Sequence, residues 1–299
     1  MAQERVRTGI EGLDQLLDGG LIPKRSYIVA GPPGSGKTIF AMQFLAQSTK
    51  DKKRALYITV DEPPNELRMN LHGMNIDIKN IQVIDSIPDI KSYDVSMVKD
   101  VSSVRAVENL ATVSEVIRKS PEFKALEASI PSLQQTLKQA CQQKGYERIA
   151  IDSFTALLYY ALKGEDERAS VQSFMRFMMD LDATILLTIE SNRVSPYEPY
   201  VFLSRGAIRL WKWWEDGHLK RAISVDKFKG SGFDEEPKEM VIDKNGIVIH
   251  SDKKATLPFA AAQSPEQGSE DDEEQEEKKK VGLCKEEKRI NPYLKRDMG

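Results

Sequence analysis

Eight consecutive residues, Gly31-Pro32-Pro33-Gly34-Ser35-Gly36-Lys37-Thr38, carry the sharpest chemical signal in this 299-residue chain. They fill every position of the pattern G-x-x-x-x-G-K-[ST], a chance match of roughly one in a hundred in a chain this long at ordinary residue frequencies. Glycines at these positions let backbone N–H groups turn inward around a polyphosphate, and a helix N-terminus behind them adds its positive end. Lys37 is placed to reach the β- and γ-phosphates and Thr38 to ligate Mg²⁺, with Ile39 closing the cofactor-binding segment. The alternative is a glycine turn that merely starts a helix.

Hydrolysis of a bound ATP needs more than a cradle: an anchor for the magnesium shell, and a carboxylate to activate water. Asp152 ends the apolar run Ile149-Ala150-Ile151, the form taken by the carboxylate that sits near Mg²⁺. The alternative for Asp152 is a side-chain cap on the next helix. Asp61-Glu62 ends a second apolar run, and in a parallel sheet the C-terminal strand ends share one crevice with the phosphate loop. Glu62 is the expected general base, with Asp61 assisting, against the alternative of a surface acid pair. Thr188 and Glu190 end another core strand at the same rim and could sense the γ-phosphate.

These groups need a scaffold, and the apolar patterning supplies one. Tyr27–Ala30, Arg54–Val60, Ile81–Asp85, Arg148–Ser153 and Ala183–Glu190 read as buried strands. The phosphate loop runs into an unbroken helical segment from Ile39 to Leu45. The spacing predicts further helices over Thr8–Leu17, with Thr8 and Glu11 as a capping box, over Leu67–Met74, and over Ala169–Leu181. From Ala207 the pattern changes to hairpins, with turns at Glu215–His218 and at Lys244-Asn245-Gly246. Residues 90–146 read as a helical insertion. Leu126, Ile130, Leu133, Leu137 and Cys141 form one stripe there, and Val101, Val104, Val107, Leu110 and Val113 another. Cys141 then belongs to the stripe as a small core residue. Strands alternating with helices predict an α/β fold, a mostly parallel sheet flanked by helices, with antiparallel hairpins at one edge. The expected domain covers 1–255. Residues 256–299, with the acidic run Glu270–Glu277 and then three lysines, read as a disordered charged tail. Asn291-Pro292-Tyr293-Leu294 could dock a partner, although a plain solvated tail is the simpler reading.

Composition narrows the function classes. The formal net charge is −3, so no overall positive field draws the chain to nucleic acid. Two distant cysteines and three scattered histidines make neither a disulfide framework nor a zinc site. The polar N-terminus lacks the apolar core of a signal peptide, and no stretch has the length of a membrane span. A cytoplasmic protein is expected.

The order of these residues resembles the KaiC-type ATPases of the RecA superfamily. The resemblance begins with Thr8-Gly9-Ile10, Gly12-Leu13-Asp14 and Gly19-Gly20 ahead of the phosphate loop. It continues through Asp61-Glu62, Ile151-Asp152-Ser153 and Thr188-Ile189-Glu190 to Lys227-Phe228-Lys229-Gly230-Ser231. It implies a RecA-like fold, ATP with Mg²⁺, and a homo-oligomer, a hexamer, with nucleotide between subunits. It also implies that Lys227 and Lys229, matching the family's Lys-x-Arg, act on the neighbour's nucleotide. A cation there would stabilise transition-state charge, though lysine lacks the fork of arginine. Clock-type members carry two ATPase domains, whereas this chain has one phosphate loop. They also autophosphorylate a Ser-Thr pair where this chain reads Tyr200-Val201-Phe202-Leu203, which argues against an autokinase. Asp61 stands where the family more often has Glu. Trp211, Trp213 and Trp214 could stack on single-stranded nucleic acid, but packing at a sheet edge or a subunit interface is the favoured reading. The leading expectation is an ATP-hydrolysing regulatory protein whose nucleotide state sets ring conformation or binding of a protein partner not identified by the sequence. A DNA-associated recombinase-type ATPase and a nucleotide-gated scaffold with negligible turnover are the alternatives.

Overall fold

The computed structural model describes residues 4–86, 130–161, 167–191 and 199–258. The valine-rich stripe, Leu126 and the charged tail lie outside them. The nine strands among the described residues belong to one sheet with the order β3-β2-β4-β5-β1-β6-β7-β8-β9. Strands β1 (Ser26–Gly31), β2 (Arg54–Thr59), β3 (Ile81–Asp85), β4 (Tyr146–Asp152), β5 (Thr184–Glu190) and β6 (Gly206–Glu215) run parallel. Strands β7 (His218–Phe228), β8 (Lys238–Asp243) and β9 (Gly246–Lys254) extend the edge antiparallel. The expected parallel sheet with closing hairpins is the observed one.

Period-two alternation along the strands divides the core between two faces. Tyr27 and Val29 of β1 face α2 (Lys37–Lys50), whereas Ile28 and Ala30 face the opposite layer. That second layer contains α4 (Ile130–Lys144), α5 (Phe154–Ala161) and α6 (Glu167–Met179). The Ile130, Leu133 and Leu137 positions of the predicted stripe are buried there. Cys141 is half-buried against them, and burial pushes its thiol up to about 11. This Cys is a packing residue. Among the described residues, no helix is long and apolar enough to cross a membrane.

Two predicted helices shift, and the backbone explains each shift. The first shrinks to α1 (Leu13–Leu16), because Gly9 and Gly12 adopt left-handed φ of 74° and 84° and cannot continue a right-handed helix from Thr8. The Thr8 hydroxyl donates to Asp14 Oδ1 at 2.7 Å instead of capping. The second, α3, spans Pro64–Leu71 and begins earlier than expected, since proline is tolerated in a first turn.

Two polar anchors hold the α2 face to the sheet. Gln43 Oε1 accepts from the Ile247 N–H at 2.7 Å, fixing β9 against the helix that follows the phosphate loop. Arg148, 4% exposed, donates to the carbonyls of Arg7 and Phe44 and forms an ion pair with Asp51. Replacing Asp51 by Ala leaves that buried guanidinium without its counter-charge. Urea unfolding of Asp51→Ala is expected to show a loss of about 2–3 kcal/mol; an unchanged midpoint would mean that the two carbonyls suffice.

Candidate functional site

The phosphate loop joins β1 to α2, and its geometry depends on two glycines. Gly36 caps α2 at φ 107°, and a side chain there would run into Ile242. At Gly31, a Cβ would lie 2.6 Å from Ser35 Oγ and 2.7 Å from the Leu210 carbonyl. The loop therefore closes tightly on itself. Ser35 Oγ is buried without a hydrogen-bond partner among the described residues, and the first turn of α2 leaves its N–H groups without intrahelical acceptors. Lys37 is 8% exposed, and its ammonium donates to the Gly31 and Pro32 carbonyls at 3.0 and 3.1 Å. Burial holds the lysine below its ordinary pKa, partly offset by Glu190, Asp152 and Asp61. Unsatisfied donors, an orphaned hydroxyl and a compressed cation together fit a polyphosphate.

Strand parity brings the acids to the same rim. Ala150 faces α2, so Asp152, two residues on, projects to that side; Thr188 and Glu190 follow Leu186 in the same way on β5. Parallel register aligns Thr59 with Asp152, and Gly31 with Glu190. The result is a cleft of about 590 Å³. Pro33, Gly34, Gly36, Lys37, Thr38 and Ile39 form one wall. Asp61, Glu62, Asp152 and Glu190 line the other.

The Asp152 carboxylate is held at both oxygens. Tyr57, buried in β2, donates to Oδ2 at 2.7 Å, and the Thr188 hydroxyl donates to Oδ1. Burial, then the Asp152 charge and the hydrogen bond to it, raise the Tyr57 pKa strongly. Ser153, not Asp152, caps α5 by accepting from the Ala156 N–H at 3.0 Å. Thr188 is fully buried and engaged with Asp152, so a role in sensing the γ-phosphate does not fit it, whereas Glu190 does line the cleft. Among the described residues, no group of three or more His, Cys, Asp or Glu could cage a metal. Mg²⁺ keeps much of its water and is usually held by one or two protein oxygens plus phosphates. Thr38 and Asp152 both line the cleft.

A turn built on Thr59 sets Asp61 and Glu62. Its hydroxyl accepts from the Glu62 N–H at 3.2 Å and donates to the Glu62 carbonyl at 2.5 Å. Asn70 of α3 then donates to Glu62 Oε1 at 2.5 Å, and Ser153 donates to Asp61 Oδ2 at 3.2 Å. Burial raises both carboxyl pKa values, with Asp152 adding to each.

The β6–β7 hairpin contributes cations that sequence reasoning missed. Lys212 and Arg221 are directly opposed across it. Lys212 donates to the Pro33 carbonyl, and Arg221 lines the cleft with its Nε buried and without a partner among the described residues. Ile242 of β8 lines the cleft as well. Counting outward from the two-residue turn Asp216-Gly217 would have paired Lys212 with Arg221. Parity with the core residue Leu210 would then have aimed them at the loop.

Lys227 and Lys229 lie elsewhere. Lys227 pairs with Ala207 of β6, which is aligned with Ile28 of β1, so three residues along β1, about 10 Å, and the two intervening strand spacings separate it from Gly31. Its ammonium donates to the carbonyls of Val201 and Phe202 in α7 (Pro199–Leu203). Of the tryptophans, Trp214 is 72% exposed, while Trp211 bonds Ser224 and carries Arg209 over its ring.

Comparison with known proteins gives a consistent picture. The family described as "ATPase: KaiC" matches residues 6–254. The chain is 26% identical over 280 residues to the circadian clock protein KaiC3 of Synechocystis, covering 89% of this chain and 48% of that protein. It thus spans about half the length of that relative. It is 27% identical over 256 residues to a UPF0273 protein of Pyrococcus horikoshii, covering 83% of this chain and 95% of that protein. The crystal structure of a KaiC-like protein from Pyrococcus horikoshii shares the fold, with a TM-score of 0.64 at 19% identity, covering 83% of this chain and all of that one.

Proposed function

The chain belongs to the KaiC family of ATPases, and from that membership we propose that it is a cytoplasmic enzyme that binds ATP and hydrolyses it within a homo-oligomer, a hexamer, with nucleotide between copies. Nucleotide state then sets the conformation of the assembly or its binding of a protein partner. One observation carries the reading: Lys37, Thr38, Asp61, Glu62 and Asp152 line a single cleft although three separate segments supply them.

In this reading the loop amides and Lys37 take the polyphosphate, while Arg221 and Lys212 add positive charge from the hairpin. Ile39 and Ile242 offer the base an apolar contact. Thr38 and Asp152 hold Mg²⁺, which when bound neutralises charge on the phosphates. Glu62 removes a proton from the attacking water, and Asp61 supports the acid wall through Ser153. Lys227 and Lys229 cannot serve their own cleft from the far end of β1. That placement supports their action on a neighbour's nucleotide, and it suits a head-to-tail interface, which gives a ring where the rotation between copies closes. Residues 1–255 form the ATPase domain.

Mass in solution, measured with and without MgATP alongside phosphate release, tests the proposal. The expected result is an ATP-dependent assembly that releases phosphate. Assembly with ATP retained intact would make the protein a nucleotide-gated scaffold, and a monomer under all conditions would remove the intersubunit site.

A further inference from the structure

At the end of the sheet opposite the phosphate loop lies a second cavity, of about 410 Å³. Lys24, Arg25, Arg205 and Lys229 line it with Met179 and Gly230. The backbone builds it from three strand ends: Arg25 precedes β1, Arg205 precedes β6, and Lys229 follows β7. Main-chain bonds lock them together, from the Arg205 N–H to the Ser26 carbonyl at 2.9 Å and from the Lys229 N–H to the Arg205 carbonyl at 2.8 Å.

The charges of this pocket are not neutralised. Lys24 pairs with Asp182 at the rim, but Arg25, Arg205 and Lys229, and the neighbouring Lys227 outside the lining, make no ion pair among the described residues. Arg25 donates to the Lys229 carbonyl at 2.6 Å, and Lys229 sits over the Phe202 ring at 5.6 Å. The half-buried guanidinium of Arg205 has a single weak contact, with Met179 sulfur at 3.4 Å. Burial, then Lys229 and Arg205, lower Lys227 to about 8, as expected for cations crowded without a counter-ion. A planar fork beside two ammonium groups matches the oxygens of a phosphoryl group. Met179 alone is too little apolar lining for a nucleoside, so the ligand is the phosphoryl end.

We propose that Arg205 supplies the arginine that the Lys227-Phe228-Lys229 segment lacks, gripping with Lys229 the terminal phosphoryl group of the nucleotide held in the next copy's cleft. The inference rests on the intersubunit reading above and adds a residue from a different strand. Arg205 is then a catalytic residue acting in trans, stabilising charge that develops in the transition state.

Mixed assemblies test this. Arg205→Ala alone should bind MgATP and assemble as the unmodified protein does, yet release phosphate at least about 10²-fold more slowly. Arg205→Lys, which keeps the charge without the fork, should recover part of the rate. Both main-chain bonds of residue 205 survive these changes, and thermal unfolding checks each variant. A Lys37→Ala copy has a dead cleft but an intact Arg205. Mixed in equal amounts with Arg205→Ala copies, it should restore about half the normal rate per Arg205→Ala cleft, because random mixing places it beside half of them. Normal turnover by Arg205→Ala, or a slow variant that mixing fails to rescue, overturns the proposal. Loss of rescue together with inorganic phosphate binding that Arg205→Ala abolishes in a Lys37→Ala background would assign the pocket to free phosphate instead. These outcomes are read with assembly and MgATP binding intact; loss of either in the unmodified protein points to failure of the intersubunit reading itself.

Discussion

Lys37→Ala is expected to abolish phosphate release, by at least about 10³-fold, and to weaken MgATP binding in calorimetry. The expectation follows from the charges of the cleft. Lys37 is the buried cation facing Asp61, Asp152 and Glu190, and its ammonium rests on the loop carbonyls of Gly31 and Pro32. Without it, the polyphosphate would meet an acid wall offset mainly by Arg221 and Lys212, which belong to a hairpin rather than to the loop. The loop itself should survive, since its shape comes from Gly31, Gly36 and the Ser35 N–H bond to the Pro32 carbonyl at 3.1 Å. Turnover by Lys37→Ala at a rate near that of the unmodified protein would remove the phosphate-loop mechanism altogether.

The same contrast between loop and hairpin explains what could be read from the sequence. The cradle was legible because its pattern is local: eight consecutive residues dictate a backbone path and need no distant partner. The strand-end acids were legible through topology, since a phosphate loop after β1 of a parallel sheet predicts one shared crevice. Lys212, Arg221 and Ile242 were not read, because their aim depends on the register of antiparallel strands that follow the parallel core. A one-residue slip in that register would have turned each to the other face. Tyr57 escaped for a related reason. In the run Ala55-Leu56-Tyr57-Ile58 it looks like an apolar strand residue, and only the neighbouring strand reveals that its hydroxyl holds Asp152. Thr188 shows the converse error, for its position at a strand end was right but the bond to Asp152 uses up its hydroxyl. The helix expected from Thr8 failed on backbone grounds, because spacing registers Thr8 and Glu11 but not the left-handed φ at Gly9 and Gly12.

The second large effect is expected at Glu62. Glu62→Gln keeps the side-chain shape and the amide-to-oxygen contact with Asn70, but it cannot accept a proton from water. Phosphate release should fall by about 10²–10⁴-fold while MgATP binding persists, so that ATP accumulates unhydrolysed on the protein. The pH dependence sharpens the test. Burial, with Asp152 and Asp61 adding to it, holds the Glu62 carboxyl above its ordinary pKa against the lowering effect of Asn70. A base with a raised pKa keeps its proton to higher pH than an ordinary glutamate does. The rate of the unmodified protein should therefore climb with pH across a limb displaced upward from the usual carboxylate range. In Glu62→Gln the residual rate should lose that limb. Asn70→Ala removes the bond that favours the ionised form, so it should move the limb further upward. A Glu62→Gln rate within a few-fold of the unmodified protein would pass the role to Asp61. Asp61 shares the raised pKa and the cleft, but it is tied to Ser153 rather than to α3. The parallel Asp61→Asn measurement then decides which of the two carboxylates activates the water.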